Sequence, residues 1–524
     1  MNDARQRRMS IPMAGFRSIL IPGAHPAPGL TGQAPPDSLA DLCLDQIIGE
    51  VTFAHADDGL EQFFYTPLHD VSAVEYRQEV FRDLEQRERR EPIENFVDAM
   101  RTVRLRLHHA ERVWHPLQKQ GWLLHAADSY CGAMKALRDD LDHVEVTSRG
   151  LRGFADYVAG YVDSETFQRL SAETQAVAAE LRKVRYTVHI QGLRVHVEKF
   201  TGQADYSSAI TATFERFATE ASTDYRVPLK DFPDMDHVEE QILECVAKLH
   251  PESFARLERF CGRNRNFVDD TVERFEREIQ FYLSYLHFMS RFATAGLTFS
   301  YPHLTTEPGV MRANDAFDVA LAIKAVKDNK PVVRNDFRLS GPQRIFVITG
   351  PNQGGKTTFA RAIGQCAYLA ALGCPVPASH AELSLPDQIY THFERRESLS
   401  TLRGKLDDEL VRVRDILARA TTASIIIMNE SFSSTTLEDA LLISTEVLQR
   451  VIKLGCVAVY VTFLDELAGL DPVCVSMVGE VAPDDPTRRT FAFTRRPADG
   501  LAYAAALAHK YGLDHDTLRR RITR

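Results

Sequence analysis

The chain's 524 residues exceed what one hydrophobic core usually serves, so about three or four domains are expected. With 26% charged and 44% hydrophobic residues, its composition excludes a largely disordered protein. A formal net charge of -10 excludes a surface coated throughout by nucleic acid, so any such contact has to be local.

Residues 1–38, rich in Pro, Gly and Ala, read as a flexible N-terminal arm. Its weak apolar patch is interrupted by Pro12, Gly15, Arg17 and Pro22, which is unlike a signal segment. No window of about 18 uncharged apolar residues occurs, so no membrane span is predicted and a cytoplasmic location is expected. The eight cysteines are dispersed, with no Cys-x-x-Cys pair that would suggest a metal site.

Residues 39–305 are read as mainly helical. Tyr76, Val80 and Leu84 recur four apart on one helix face. Arg101, Arg104 and Arg106, interleaved with Val103, Leu105 and Leu107, are read as a solvated helix face. Lys183 to Phe200 alternate with period two around Gln191-Gly192, which predicts a small β-hairpin at 183–200. Val268, Val272, Phe275, Ile279, Tyr282 and Leu286 then follow steps of four and three. That spacing predicts a long helix whose apolar seam packs within the chain, with a partner helix as the alternative.

Pro302 and Pro308 mark a boundary, and residues 306–524 form the last predicted domain. Ala316 to Val326 reads as helix, and Asn335-Asp336 as a turn. From there to about 480 the order is strand, loop, helix, polar segment, helix, strand, helix, strand, the pattern of a mainly parallel sheet covered by helices.

The apolar run Arg344-Ile-Phe-Val-Ile-Thr349 leads into Gly350-Pro-Asn-Gln-Gly-Gly-Lys-Thr357. A strand, a glycine loop and a helix N-terminus aim several backbone N–H groups at one point, and phosphates fit there. Gly350, Gly354, Gly355, Lys356, Thr357 and Thr358 are the candidate phosphate-binding residues, with Lys356 on the β/γ-phosphates and the Thr357 hydroxyl on Mg²⁺. ATP and Mg²⁺ are the expected ligands.

A second strand, Ser424-Ile-Ile-Ile-Met428, ends at Asn429-Glu430, where an open α/β sheet collects its ligands. Glu430 is the candidate catalytic base, polarising the water that attacks ATP. Asn429 brings a neutral amide to the magnesium shell. A third strand, Cys456-Val-Ala-Val-Tyr-Val461, runs into Thr462, whose hydroxyl is placed toward the γ-phosphate, and Phe463, read as a packing residue.

These residues resemble the MutS family of DNA mismatch repair proteins. The resemblance is carried by Gly350-Pro-Asn-Gln-Gly-Gly-Lys-Thr-Thr358, by Arg334-Asn335-Asp336, by Leu372-Gly373-Cys374-Pro-Val-Pro377-Ala378, by Ile416-Leu417 with the second strand, and by Tyr503 to Leu513 with Arg520. It implies a multidomain α+β chain, a mainly helical core and lever region followed by an ABC-type α/β P-loop ATPase domain, ending in a C-terminal helical dimerisation segment. Asn352, Gly355, Lys356 and Thr357 match the family's phosphate loop, and Glu430 its catalytic acid.

Other positions depart from the family pattern. Asn429 replaces an aspartate, Phe463 replaces a histidine, and Val332, three residues before Asn335, stands where relatives place an aromatic near the adenine. Val332 and Asn335 are therefore the candidate base pocket. The family's trans signature, which completes the neighbouring subunit's site, falls at Gly404 to Glu409, and the glycine-rich loop after the second strand becomes Ser431 to Thr436.

No Phe-x-Glu motif of the mismatch-reading domain stands in a suitable place, so a MutS-like ATPase lacking that domain is expected. The implied function is an ATP-dependent homodimeric clamp or switch on duplex or branched DNA, working with repair or recombination proteins. Two alternatives are a nucleotide-controlled protein-interaction module and a weakly hydrolysing ATP sensor.

Overall fold

The computed structural model describes residues 16–23, 35–54, 59–192, 194–202, 235–394, 404–498 and Arg519. Two compact units share the chain: Gln86–Val146 with Leu151–Glu276 and the N-terminal Met1–Phe16, and Arg17–Glu85 with Thr147–Gly150 and Arg277–Arg524. The first is helical and the second mixes helices with sheets. None of the described helices is long and apolar enough to cross a membrane.

In the first unit, the helices Arg87–Arg112 and Pro116–His143 run along each other. Pro116 stands at the start of its helix, where the missing N–H costs nothing. Ser164 caps Glu165–Leu181 through the Phe167 N–H, and Asp236 with Glu239 forms a capping box on His237–Leu249. The arginine cluster lies on a mostly solvated helix face, as its sequence suggests. Arg104 pairs with the buried Glu276 and Arg106 donates to the His125 carbonyl at 2.9 Å, while Arg101 stays exposed. The strands β1 (Tyr186–Gln191) and β2 (Arg194–Lys199) pair antiparallel, Gln191 opposite Arg194, and leave Ile190 75% exposed.

The apolar seam lies on the helix Asp270–Ala293, and Val272, Phe275, Ile279, Tyr282 and Leu286 are all buried. Phe275 stacks on Phe154 inside the first unit. The reading of the seam as intrachain packing therefore holds; Val268 precedes the helix.

The second unit contains a four-stranded sheet in the order β3 (His303–Thr305), β7 (His380–Ser384), β4 (Met311–Ala316) and β5 (Asn335–Arg338). Its six-stranded sheet has the order β12 (Asp485–Arg495), β11 (Cys474–Ala482), β6 (Ile345–Thr349), β10 (Val457–Val461), β9 (Ile425–Asn429) and β8 (Ile389–Phe393). All its neighbours are parallel except β11 and β12. β6, β9 and β10 are buried along their whole length, which is why they read as unbroken apolar runs. The helix Lys356–Ala371 is almost wholly buried.

Four readings need correction. Asn335-Asp336 is not a turn: it opens β5, paired with β4. The polar segment before the second strand holds β7 and β8. Compactness divides the chain elsewhere than at residue 305, because 17–85 packs with the ATPase-like region. The buried Arg77 shows how, donating at 2.9 Å to the Leu20 carbonyl and at 2.8 Å to that of Leu372, and Gln365 reaches the Leu42 carbonyl at 2.9 Å. Finally, Ser18 to Leu20 are not a loose arm. They are buried, with Ser18 Oγ and the Ile19 N–H on Glu278. Tyr503 to Leu513 and Arg520 lie outside the described residues.

Candidate functional site

β6 delivers the chain to Gly350, whose φ of 121° lies in the left-handed region. A Cβ there would stand 2.9 Å from the Gly479 nitrogen on β11, so the loop passes closer to the sheet than a side chain permits. Gly355, at φ 91°, is the N-cap of Lys356–Ala371. The Gly354 N–H donates to the Pro351 carbonyl at 3.1 Å and closes the turn. The loop therefore ends with free helix N-terminal amides and the positive end of a helix dipole.

Lys356 folds back over this loop. Its Nζ donates to the Gly350 carbonyl and to Asn352 Oδ1, both at 3.0 Å, and lies 3.7 Å from Glu430 Oε1. Burial lowers the Lys356 pKa from its ordinary value, with the Glu430 carboxylate pulling the other way. Thr357 Oγ1 donates to Asn429 Oδ1 at 2.8 Å. Parallel pairing of β10 with both β6 and β9 brings these groups from positions more than seventy residues apart to one sheet end.

Glu430 leaves β9 at φ 48°, its N–H on the Val461 carbonyl at 2.9 Å and its side chain 38% exposed toward the loop's cavity. Thr462 is buried and its Oγ1 accepts the Leu464 N–H at 3.0 Å. Phe463 is 46% exposed, so it is not the packing residue expected. Gly404 is the exposed N-cap of the helix Lys405–Arg419. Glu409 is buried, and its Oε2 takes the Phe432 N–H of its own chain at 2.8 Å. Thr436, from the altered loop, caps the helix Leu437–Leu454 through the Asp439 N–H.

A cavity of about 550 Å³ opens beside the loop, lined by Gly354 to Phe359 and Glu430 on one side and by Val333, Leu321 and Phe491 on another. Val333 lines it, whereas Val332 does not. Asn335 also reaches it, but its amide is committed to β12: Nδ2 donates to the Phe491 carbonyl at 3.1 Å and Oδ1 accepts the Phe493 N–H at 2.7 Å. Phe491 and Phe493 were not singled out from the sequence. Their signal is the period-two run Thr490 to Thr494, and Phe493 stacks on Phe359 of the loop's own helix at 4.7 Å.

Among the described residues no group of three or more His, Cys, Asp or Glu could hold a metal ion. The donors present are the Thr357 hydroxyl and the Asn429 amide oxygen, hard ligands that suit Mg²⁺ when phosphate oxygens and water supply the remainder.

Residues 346–505 match the family model described as MutS domain V. The chain is 30% identical over 170 residues to the DNA mismatch repair protein MutS of Thermotoga maritima, covering 32% of this chain and 21% of that protein. It is 25% identical over 246 residues to that of Fervidobacterium nodosum, 45% of this chain and 28% of the relative. With that of Chlorobium phaeovibrioides it shares 26% over 238 residues, 44% and 27% respectively. The chain thus spans between about a fifth and just over a quarter of these relatives' length.

Proposed function

From a chain that carries a MutS-type domain V behind a helical region, we propose an ATPase whose nucleotide cycle drives a homodimeric clamp or switch on duplex or branched DNA. The observation that carries it is the convergence of Lys356, Thr357, Asn429 and Glu430 on one point beside the glycine loop. Phosphate oxygens fill the loop's N–H groups, and Lys356 exchanges its contacts with Gly350 and Asn352 for the β/γ-phosphates. Thr357 and Asn429 are the residues that would hold a Mg²⁺ ion, which would supply neutralisation of phosphate charge. Glu430 accepts the proton of the water that attacks the γ-phosphorus, and ADP leaves with the bridging oxygen. Asn429 in place of an acid makes hydrolysis slow, the observation that favours an ATP sensor as a second reading. Val333 and Phe491 bound the space for the base.

Support for DNA comes from the relatives, each described as a DNA mismatch repair protein. With an acidic chain, such binding is backbone-directed and salt-dependent. The seam is buried, so the exposure that would favour the protein-interaction alternative is not seen there. A gel shift with duplex and branched DNA, with and without ATP, across salt concentrations tests the clamp. ATP-dependent retention that weakens with salt is expected, and no retention at low salt rejects DNA as the partner.

A further inference from the structure

The loop that presents Glu430 is held in a backbone shape its residues do not choose freely. Glu430 and Phe432 stand at φ 48° and 62°, in the left-handed region that favours glycine, yet no glycine occurs between Gly404 and Gly455. Such a conformation persists only where the surroundings fix it. Three contacts do so. The Glu430 N–H donates to the Val461 carbonyl at 2.9 Å, the Phe432 N–H to Glu409 Oε2 at 2.8 Å, and Ser431 Oγ is hydrogen-bonded to His392 Nδ1 at 2.9 Å. The His392 ring also lies stacked against Phe432.

Glu409, His392 and Ser431 are buried, and these hydrogen bonds run to the loop after β9 and not to the glycine loop. Their order in the fold matters as well: His392 sits on β8 opposite Met428 of β9, one residue before Asn429, so the sheet's register sets where the imidazole meets Ser431. Burial raises the Glu409 carboxyl above its usual pKa, and the Phe432 N–H, the first of the opposing influences, offsets part of that. An oxygen able to accept the N–H is present in either protonation state.

We propose that Glu409 and His392 are positioning residues that hold Ser431 and Phe432 so that the Glu430 carboxylate stays beside Lys356. The proposal rests on the reading of Glu430 as the group that handles water. Freed of these contacts, the loop relaxes toward negative φ and the carboxylate leaves the cavity, while the phosphate cradle, built on β6 and its helix, is untouched.

The test compares Glu409→Ala, Glu409→Gln, Ser431→Ala and Glu430→Gln in the full chain, reading ATP turnover, affinity for a fluorescent ATP analogue and melting temperature. Glu409→Ala is expected to lose roughly tenfold or more in kcat with analogue affinity within about twofold, and Glu409→Gln, which keeps an acceptor oxygen, to restore most of it. Wild-type turnover in Glu409→Ala overturns the proposal, as does equal loss of turnover and affinity. If Glu409→Ala does not fold, Ser431→Ala decides, with lower kcat at unchanged affinity expected and unchanged kcat overturning. An inactive Glu430→Gln beside a fully active Glu409→Ala rejects the positioning alone, whereas a fully active Glu430→Gln rejects the reading beneath it.

Discussion

Thr357 Oγ1 and Asn429 Oδ1 are joined by a 2.8 Å hydrogen bond, so a hydroxyl and an amide meet at the place proposed for a nucleotide-bound cation. A carboxylate at 429 adds a full negative charge to the same position. Asn429→Asp is expected to lower the Mg²⁺ concentration for half-maximal ATP turnover by roughly threefold to tenfold. Titrating Mg²⁺ at fixed ATP checks this, and an unchanged requirement would mean that residue 429 does not face the cation.

Lys356 gives a pH dependence whose sign follows from its surroundings. Without nucleotide, burial lowers its pKa, and the triphosphate's negative charge raises it again on binding. Between those two values binding takes up a proton, and affinity falls as pH rises through the window because a neutral amine must be protonated first. Calorimetry in two buffers of different ionisation enthalpy measures the uptake at alkaline pH. Lys356→Ala removes both the uptake and roughly 2–4 kcal/mol of ATP binding.

Asp83 tests the packing that surrounds the domain. It is fully buried, and its carboxylate accepts the Thr147 N–H at 2.9 Å, the Thr147 hydroxyl at 2.6 Å and the Ser148 N–H at 2.7 Å. Burial alone pushes the carboxyl up, and these hydrogen bonds outweigh it, leaving the pKa below the usual value. A depressed pKa contributes stability above the unfolded-state value near about 3.9 that is lost as pH falls through the folded-state value. Asp83→Asn should cost about 2–3 kcal/mol at neutral pH and flatten that acid limb, as read from thermal melts across pH.

Asn335 ties β5 to β12 with two hydrogen bonds, to the Phe491 carbonyl and the Phe493 N–H on either side of Ala492. Asn335→Ala leaves the Phe493 N–H without its acceptor and releases the cavity wall. ATP affinity should fall several-fold while that for inorganic tripolyphosphate, which has no base, stays level. Equal losses for both ligands would place the effect in the phosphate loop instead.

The strand, tight turn and helix start at 345–371 were legible because their signals are local: an apolar run, then glycines adjacent in sequence, mark them before any packing is known. The parallel strands were legible because burial on both faces leaves unbroken apolar runs. β7 and β8 were missed since each has only five residues: β7 alternates over too short a span to stand out, and β8 buries the polar Thr391 and His392. Asn335-Asp336 carries turn-forming residue types, yet the Asn335 amide serves as a bridge between strands 156 positions apart. Glu409 and Phe432 are 23 positions apart and Arg77 and Leu372 are 295, and no periodicity records contacts of that kind.

Glu430, 3.7 Å from Lys356, is proposed to handle the attacking water in a cradle that binds ATP without it. Single-turnover hydrolysis by Glu430→Gln, with ATP affinity measured on the same preparation, addresses that role most directly. Hydrolysis slowed by roughly a hundredfold or more is expected, with affinity held within about threefold. Hydrolysis at the wild-type rate would contradict that role.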